Sequence, residues 1–195
     1  MKSKLVLAAT LLLIFSSPGN AAECMGVTYP EDAAVGETKL TLNGLGLREA
    51  TAMKIDVYVA ALYLEDRSSS GDTILNSVTP KKLTLTFLRN VSKRQISSAW
   101  SKGLKKIAGG NLENLEDRIS KLNGWMADLT EGSTLTFTYR PQADADADLE
   151  IEVNGERRGA IPGNDFAKTF LGIWLGPKPV VNKGLKSGLL GGSCN

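Results

Sequence analysis

Residues 149–161, LEIEVNGERRGAI, decide the class of fold. Leu149, Ile151 and Val153 alternate with Glu150 and Glu152, the period of a strand with one buried and one wet face. Asn154-Gly155 follows directly, a dipeptide that favours a two-residue hairpin turn because both residues tolerate positive φ. The chain then returns over residues 156–161. Strand, tight turn and return strand predict an antiparallel sheet.

The same period recurs on either side. Leu83, Leu85 and Phe87 alternate with Thr84 and Thr86, and Leu135, Phe137 and Tyr139 alternate with Thr136 and Thr138. Residues 53–64, rich in Val, Ile and Tyr, read as a longer strand. Helical spacing fills the gaps. Behind Ser92, a good N-cap, stand Ile96, Trp100, Leu104 and Ile107, and Gly109-Gly110 ends the run. Leu112, Leu115, Ile119, Leu122 and Met126 form a second stripe, with Glu113, Glu116, Asp117 and Lys121 off it. Asn164 or Asp165 is expected to cap a third helix carrying Phe166, Phe170, Ile173 and Trp174, ended by Gly176-Pro177. Together these predict an α+β fold, an antiparallel sheet packed against a layer of helices on one face.

The N-terminus reads as an export signal. Lys2 and Lys4 precede the apolar run 5–15, and a polar stretch then leads to the small pair Ala21-Ala22. Residues 1–22 are therefore expected to be cleaved, with 23–195 a single domain in the periplasm or outside the cell. Glu23, where a small residue would be needed before Cys24, argues against a lipoprotein anchor. The apolar run is too short to span a bilayer, and no later one reaches about 18 residues, so the mature chain is expected to have no transmembrane segment. Loss of Lys2 and Lys4 leaves 21 of the 23 basic residues against 21 acidic ones. Such a balance lacks the basic excess of a nucleic-acid binder.

Two cysteines, Cys24 and Cys194, lie near the ends of the exported part. An oxidising compartment predicts that they pair as a structural staple, and a redox-active pair would require Cys-x-x-Cys spacing. The chain has no histidine. Ser-His-Asp and Cys-His catalysis and imidazole-ligated zinc are thereby excluded. Gly44-Leu45-Gly46 is not a dinucleotide fingerprint, because Glu49 occupies the third glycine position. No cofactor and no metal are assigned. Asp144, Asp146, Asp148 and Glu150 alternate, but lack the glycine and terminal Glu of a calcium loop and read better as a solvated hairpin rim. Asn90-Val91-Ser92 matches a glycosylation acceptor, relevant only to a eukaryotic source.

The stretch 43–66, NGLGLREATAMKIDVYVAALYLED, resembles the chalcone isomerase-like family, in particular its bacterial exported branch. The likeness continues through LTLTFLRNVSKRQISSAW to Gly103-Leu104, and returns in DFAKTFLGIWLG and PVVNKGLKSGLL. It implies an antiparallel sheet on a helix layer with a ligand cleft between. It also implies an arginine near the cleft, matched by Arg48. Tyr58 stands where true chalcone isomerases carry a strand threonine. Aligning Gln95-Ile96-Ser97 with the family's Gln-Tyr-Ser puts Ile96 at the catalytic tyrosine and Gly103 at the catalytic asparagine. Neither side chain donates a hydrogen bond to an oxyanion, so flavonoid cyclisation is not expected and no catalytic residue is assigned.

Arg48 with Tyr58 instead resembles the fatty-acid-binding members, in which an arginine and a tyrosine grip a carboxylate at the mouth of an apolar cleft. A guanidinium offers a two-pronged fork to a carboxylate and a phenol adds a third donor. On this reading the partner is a small amphipathic acid such as a fatty acid. A structural alternative pairs Arg48 with Glu49 or Asp56 at the surface and leaves Tyr58 as core. Two functional alternatives stay open. One is an isomerase or intramolecular lyase in which the guanidinium lowers the phenol pKa for proton transfer; the other is an envelope protein that binds a partner through an apolar patch.

Overall fold

The computed structural model describes residues 21–50, 53–109, 112–142, 147–177 and 180–194. Strands β3 (Asp32–Val35), β4 (Thr38–Ala50), β5 (Ile55–Leu64), β6 (Lys81–Phe87), β7 (Thr134–Arg140), β8 (Asp148–Val153) and β9 (Glu156–Pro162) form one sheet. They lie in sequence order and every neighbouring pair is antiparallel. The β8–β9 turn is the predicted one, with Asn154 at φ 53° and Gly155 at φ 76°. A separate hairpin joins β1 (Ala21–Cys24) to β2 (Val27–Pro30). Ala21 and Ala22, the last residues assigned to the export signal, pair there with Pro30 and Tyr29.

Five helices connect or follow the strands: α1 (Gly71–Asn76), α2 (Lys93–Ala108), α3 (Glu116–Trp125), α4 (Asn164–Leu175) and α5 (Lys183–Leu189). A short 3-10 turn, Glu113–Leu115, leads into α3. Helix α2 begins as read: the Ser92 hydroxyl accepts from Gln95 N and the Gln95 side chain accepts from Ser92 N, a reciprocal cap. Helix α4 begins one residue earlier than expected. Its N-cap is Gly163 at φ 110°, a conformation that disfavours a side chain. Asn164 instead accepts from the Tyr139 hydroxyl at 2.5 Å, and Asp165 forms an ion pair with Arg118 at 2.6 Å.

The helix layer covers the sheet face carrying Leu83, Leu85, Phe137 and Ile151. Helix α4 is apolar nearly all round, because it lies between the sheet and α2. Its Phe170 packs 4.8 Å from the ring of Phe137 and 5.5 Å from that of Trp100 on α2. The opposite face of β4 and β5 is also dry. Leu40, Leu42, Leu45, Leu47, Val59, Ala61 and Tyr63 form a second core there with Tyr29 and Cys24 of the first hairpin. Burial on both faces explains why residues 53–64 show no clean alternation. That strand starts at Ile55, since Lys54 (φ 50°) belongs to the turn and Met53 is 77% exposed.

The predicted disulfide is present. Cys24 in β1 bonds Cys194 beyond α5, across a Cα separation of 6.0 Å, and so ties the hairpin to the C-terminal segment. Of the acidic series, Asp144 and Asp146 lie outside the described residues. Asp148 accepts from Gln142 and Glu150 pairs with Arg140 and Arg157, all polar contacts at the sheet rim. Among the described residues, no helix is long and apolar enough to cross a membrane.

Candidate ligand-binding site

The site is assembled at the end of β4 by a helix that lies directly on that strand. Gly44 and Gly46 provide the approach. A Cβ on Gly44 would sit 2.1 Å from the Gly188 carbonyl oxygen, and one on Gly46 would sit 2.4 Å from that of Leu185. Any side chain at either position would lift α5 off the sheet. The seated helix brings Asn182, the residue preceding α5, against the strand end. Its amide donates to Leu47 O at 3.0 Å, and its carbonyl oxygen accepts from Glu49 N and from Arg48 Nη1, both at 3.3 Å.

Arg48 Nη1 also donates to Glu49 O at 2.9 Å. One nitrogen of the guanidinium is thus committed to holding the side chain in place. Nε and Nη2 donate to no group among the described residues, and Arg48 forms no ion pair with Glu49 or Asp56. The surface-pair alternative for Arg48 is therefore not realised.

Tyr58, on β5, is the direct cross-strand partner of Arg48 on β4. Opposed residues of an antiparallel pair point to the same face. A bulge between the pairs Arg48–Tyr58 and Glu49–Asp56 inserts Val57 and re-aims the strand end. The Tyr58 ring is buried in the core and packs 5.5 Å from that of Phe87. Its oxygen accepts the indole N–H of Trp174 at 3.0 Å, and its own O–H has no acceptor among the described residues. Burial pushes the phenol pKa up to about 12, against smaller lowering by Trp174 and by the Arg48 charge. The guanidinium does lower this pKa, as the isomerase reading requires, but desolvation of the phenolate outweighs the attraction and the net shift is upward. Tyr58 therefore keeps its proton near neutral pH, and its O–H is available to donate.

Both residues line a cleft of about 420 Å³ between the sheet and helices α2 and α4. Its walls include Leu85, Phe87, Ile96, Trp100, Ile173 and Trp174, and its polar rim adds Arg89, Asn90 and Gln95. Ile96 does stand in the cleft, where the resemblance places a tyrosine, and offers only apolar surface. Gly103 is not in the cleft. A Cβ there would meet the side chain of Ile173 at 3.3 Å, so this glycine serves the packing of α2 on α4. Asn182, Trp174 and Arg89 were not read as site residues. The first lies in the quoted ending PVVNKGLKSGLL, where an Asn before an apolar helical pattern is a cap signal.

Comparison with known proteins is consistent with this architecture. A sequence search of curated proteins finds no match. Among solved structures, the crystal structure of a fatty-acid binding protein from Arabidopsis thaliana is similar in fold, with a TM-score of 0.68 over 87% of this chain and 96% of that one. The two are 18% identical. The model of the chalcone isomerase-like family matches residues 21–191, nearly the whole described chain. With its sheet, helix layer and interlayer cleft, the chain belongs to the chalcone isomerase-like family.

Proposed function

We propose that this protein is a non-catalytic binder of a small amphipathic carboxylate, such as a fatty acid, acting in the periplasm or outside the cell. One observation carries the reading. A guanidinium held by Asn182, with Nε and Nη2 uncommitted, stands opposite a protonated phenol at the wall of a largely apolar cleft. The two arginine donors and the Tyr58 O–H suit the two oxygens of a carboxylate. The apolar walls suit a hydrocarbon tail, and about eight buried methylenes would contribute about 6 kcal/mol. Fatty-acid binding by the Arabidopsis protein of the same fold supports the class of ligand. The leader-like N-terminus and the Cys24–Cys194 bond support an oxidising location.

The isomerase alternative has little on its side. Ile96 and Gly103 replace the expected donors, and Tyr58 is held in its protonated form. The binding reading is tested by solvent extraction and native mass spectrometry of the purified protein, together with titration of free fatty acids. A bound acid lost in Arg48→Ala, with the circular dichroism spectrum unchanged, is the expected result. Unaltered fatty-acid affinity in that variant would overturn the assignment of Arg48.

A further inference from the structure

The opening of the cleft is bordered by positive charge that carboxylate binding does not use. Helix α2, KRQISSAWSKGLKKIA, contains Lys93, Arg94, Lys102, Lys105 and Lys106 and no acidic residue. Its buried side carries Ile96, Trp100, Gly103 and Leu104, so Arg94, Ser98 and Lys102, spaced by four, share the solvent side. Arg94, Ser98 and Lys102 line, with Arg48 and Val180, an open depression next to the cleft. Arg48 and Val180 belong to both hollows, so the depression is the cleft's outer vestibule. Exposed Arg89 stands on the rim of the cleft itself.

Carboxylates stand near this helix and the cleft rim: Glu49 next to Arg48, Glu131, whose backbone N–H donates to Asn90, and Asp128 and Glu116. Asp128 accepts from the backbone N–H of Lys93, and Glu116 shares a groove with Lys105 on the side facing α3. Arg89, Arg94 and Lys102 form no ion pair among the described residues. Next to the basic rim is an exposed apolar side chain. Met53, 77% exposed, lies in the β4–β5 turn between Ala50 and Ile55, both of which line the cleft.

We infer that this face docks on an anionic lipid bilayer, with Arg89, Arg94 and Lys102 against the headgroups and the cleft opening onto the membrane. The inference rests on the proposed ligand class, since an amphipathic acid partitions into bilayers and has to be taken up from or delivered to one. A basic helix with its apolar side committed to the core attracts anionic headgroups without inserting. A nucleic acid would satisfy the charges, but would not account for an apolar cleft and an exposed methionine at the same opening.

The test is flotation of the full mature protein with phosphatidylcholine vesicles, with and without phosphatidylglycerol, at low and at high salt. Binding is expected only with phosphatidylglycerol and is expected to weaken with salt. Each basic side chain at such a surface contributes about a factor of five, so the double variant Arg94→Gln with Lys102→Gln should bind about 30-fold more weakly. Arg157→Gln with Arg158→Gln, on β9, is the control and should bind like the parent. Fatty-acid titration without vesicles separates the two ideas. The Arg94/Lys102 variant should retain fatty-acid affinity, whereas Arg48→Ala should lose it and still float. Absence of wild-type flotation, equal flotation of the Arg94/Lys102 variant, or binding to a DNA duplex in place of vesicles would each overturn the docking inference. Flotation without fatty-acid binding would uphold docking and remove the carrier.

Discussion

Replacing Tyr58 by phenylalanine separates the two hydrogen-bonding roles assigned to its hydroxyl. As an acceptor, that oxygen satisfies the indole N–H of Trp174, which is fully buried. The variant keeps the ring and its packing on Phe87, so no large cavity forms. It leaves a buried donor without an acceptor, at about 2 kcal/mol, which for a chain of this length lowers the melting temperature by about 4–8 °C. As a donor, the phenol is assigned to the ligand carboxylate. Loss of one hydrogen bond to a charged acceptor costs about 1.5 kcal/mol, about tenfold in Kd. Differential scanning calorimetry reads the first effect, and displacement of a fluorescent fatty acid reads the second. Because burial holds the phenol near pKa 12, the ratio of mutant to wild-type Kd should stay constant between about pH 7 and 10. An unchanged melting temperature with unchanged Kd would refute both roles. A Kd ratio that titrates within that window would refute the protonated donor.

Gly46→Ala should force α5 from β4, because the new methyl would lie 2.4 Å from the Leu185 carbonyl oxygen. A stability loss of about 1–3 kcal/mol, by denaturant titration, should accompany weaker fatty-acid binding as Asn182 leaves Arg48. Cys24→Ser opens the long loop closed by the disulfide and should cost up to about 5 kcal/mol, seen as a lower denaturation midpoint that dithiothreitol no longer affects. Above about pH 10 the buried tyrosines should make the fold lose stability. Tyr29, Tyr58 and Tyr63 are raised by burial to about 12, so the unfolded chain loses their protons near pH 10, before the folded one. Their contribution is present below pH 10 and disappears as pH rises through 12. Lys81 has the opposite slope. Burial lowers its pKa to about 8, so the folded chain releases this proton before the unfolded one. Stability should therefore rise between pH 8 and 10.5, and Lys81→Met should flatten that rise in denaturant titrations.

Local chemistry carried much of the architecture. Alternation at 83–87, 135–139 and 149–153, with the Asn154-Gly155 turn, specified an antiparallel sheet without reference to anything distant. The helical stripes behind Ser92 and Leu112, and in the run ending at Gly176, specified the layer packed on it. Residues 53–64 were harder to read, because a strand buried on both faces loses the period that reveals it. The Cys24–Cys194 bond was legible for a different reason: two cysteines in a chain with a leader-like N-terminus allow one pairing.

Sequence alone determined that the chain makes this sheet and helix layer, excludes histidine chemistry, and carries Arg48 and Tyr58 as candidate donors. Which way those donors face depended on tertiary structure. Arg48 and Tyr58 are opposed across a hairpin, and a bulge re-aims the strand end. The guanidinium is held by Asn182, 134 residues away in sequence, and the phenol by Trp174, 116 residues away. Gly44 and Gly46 took on meaning only when α5 lay on them. Periodicity records which face of an element is dry, but the orientation of a polar group is set by partners brought from distant parts of the chain.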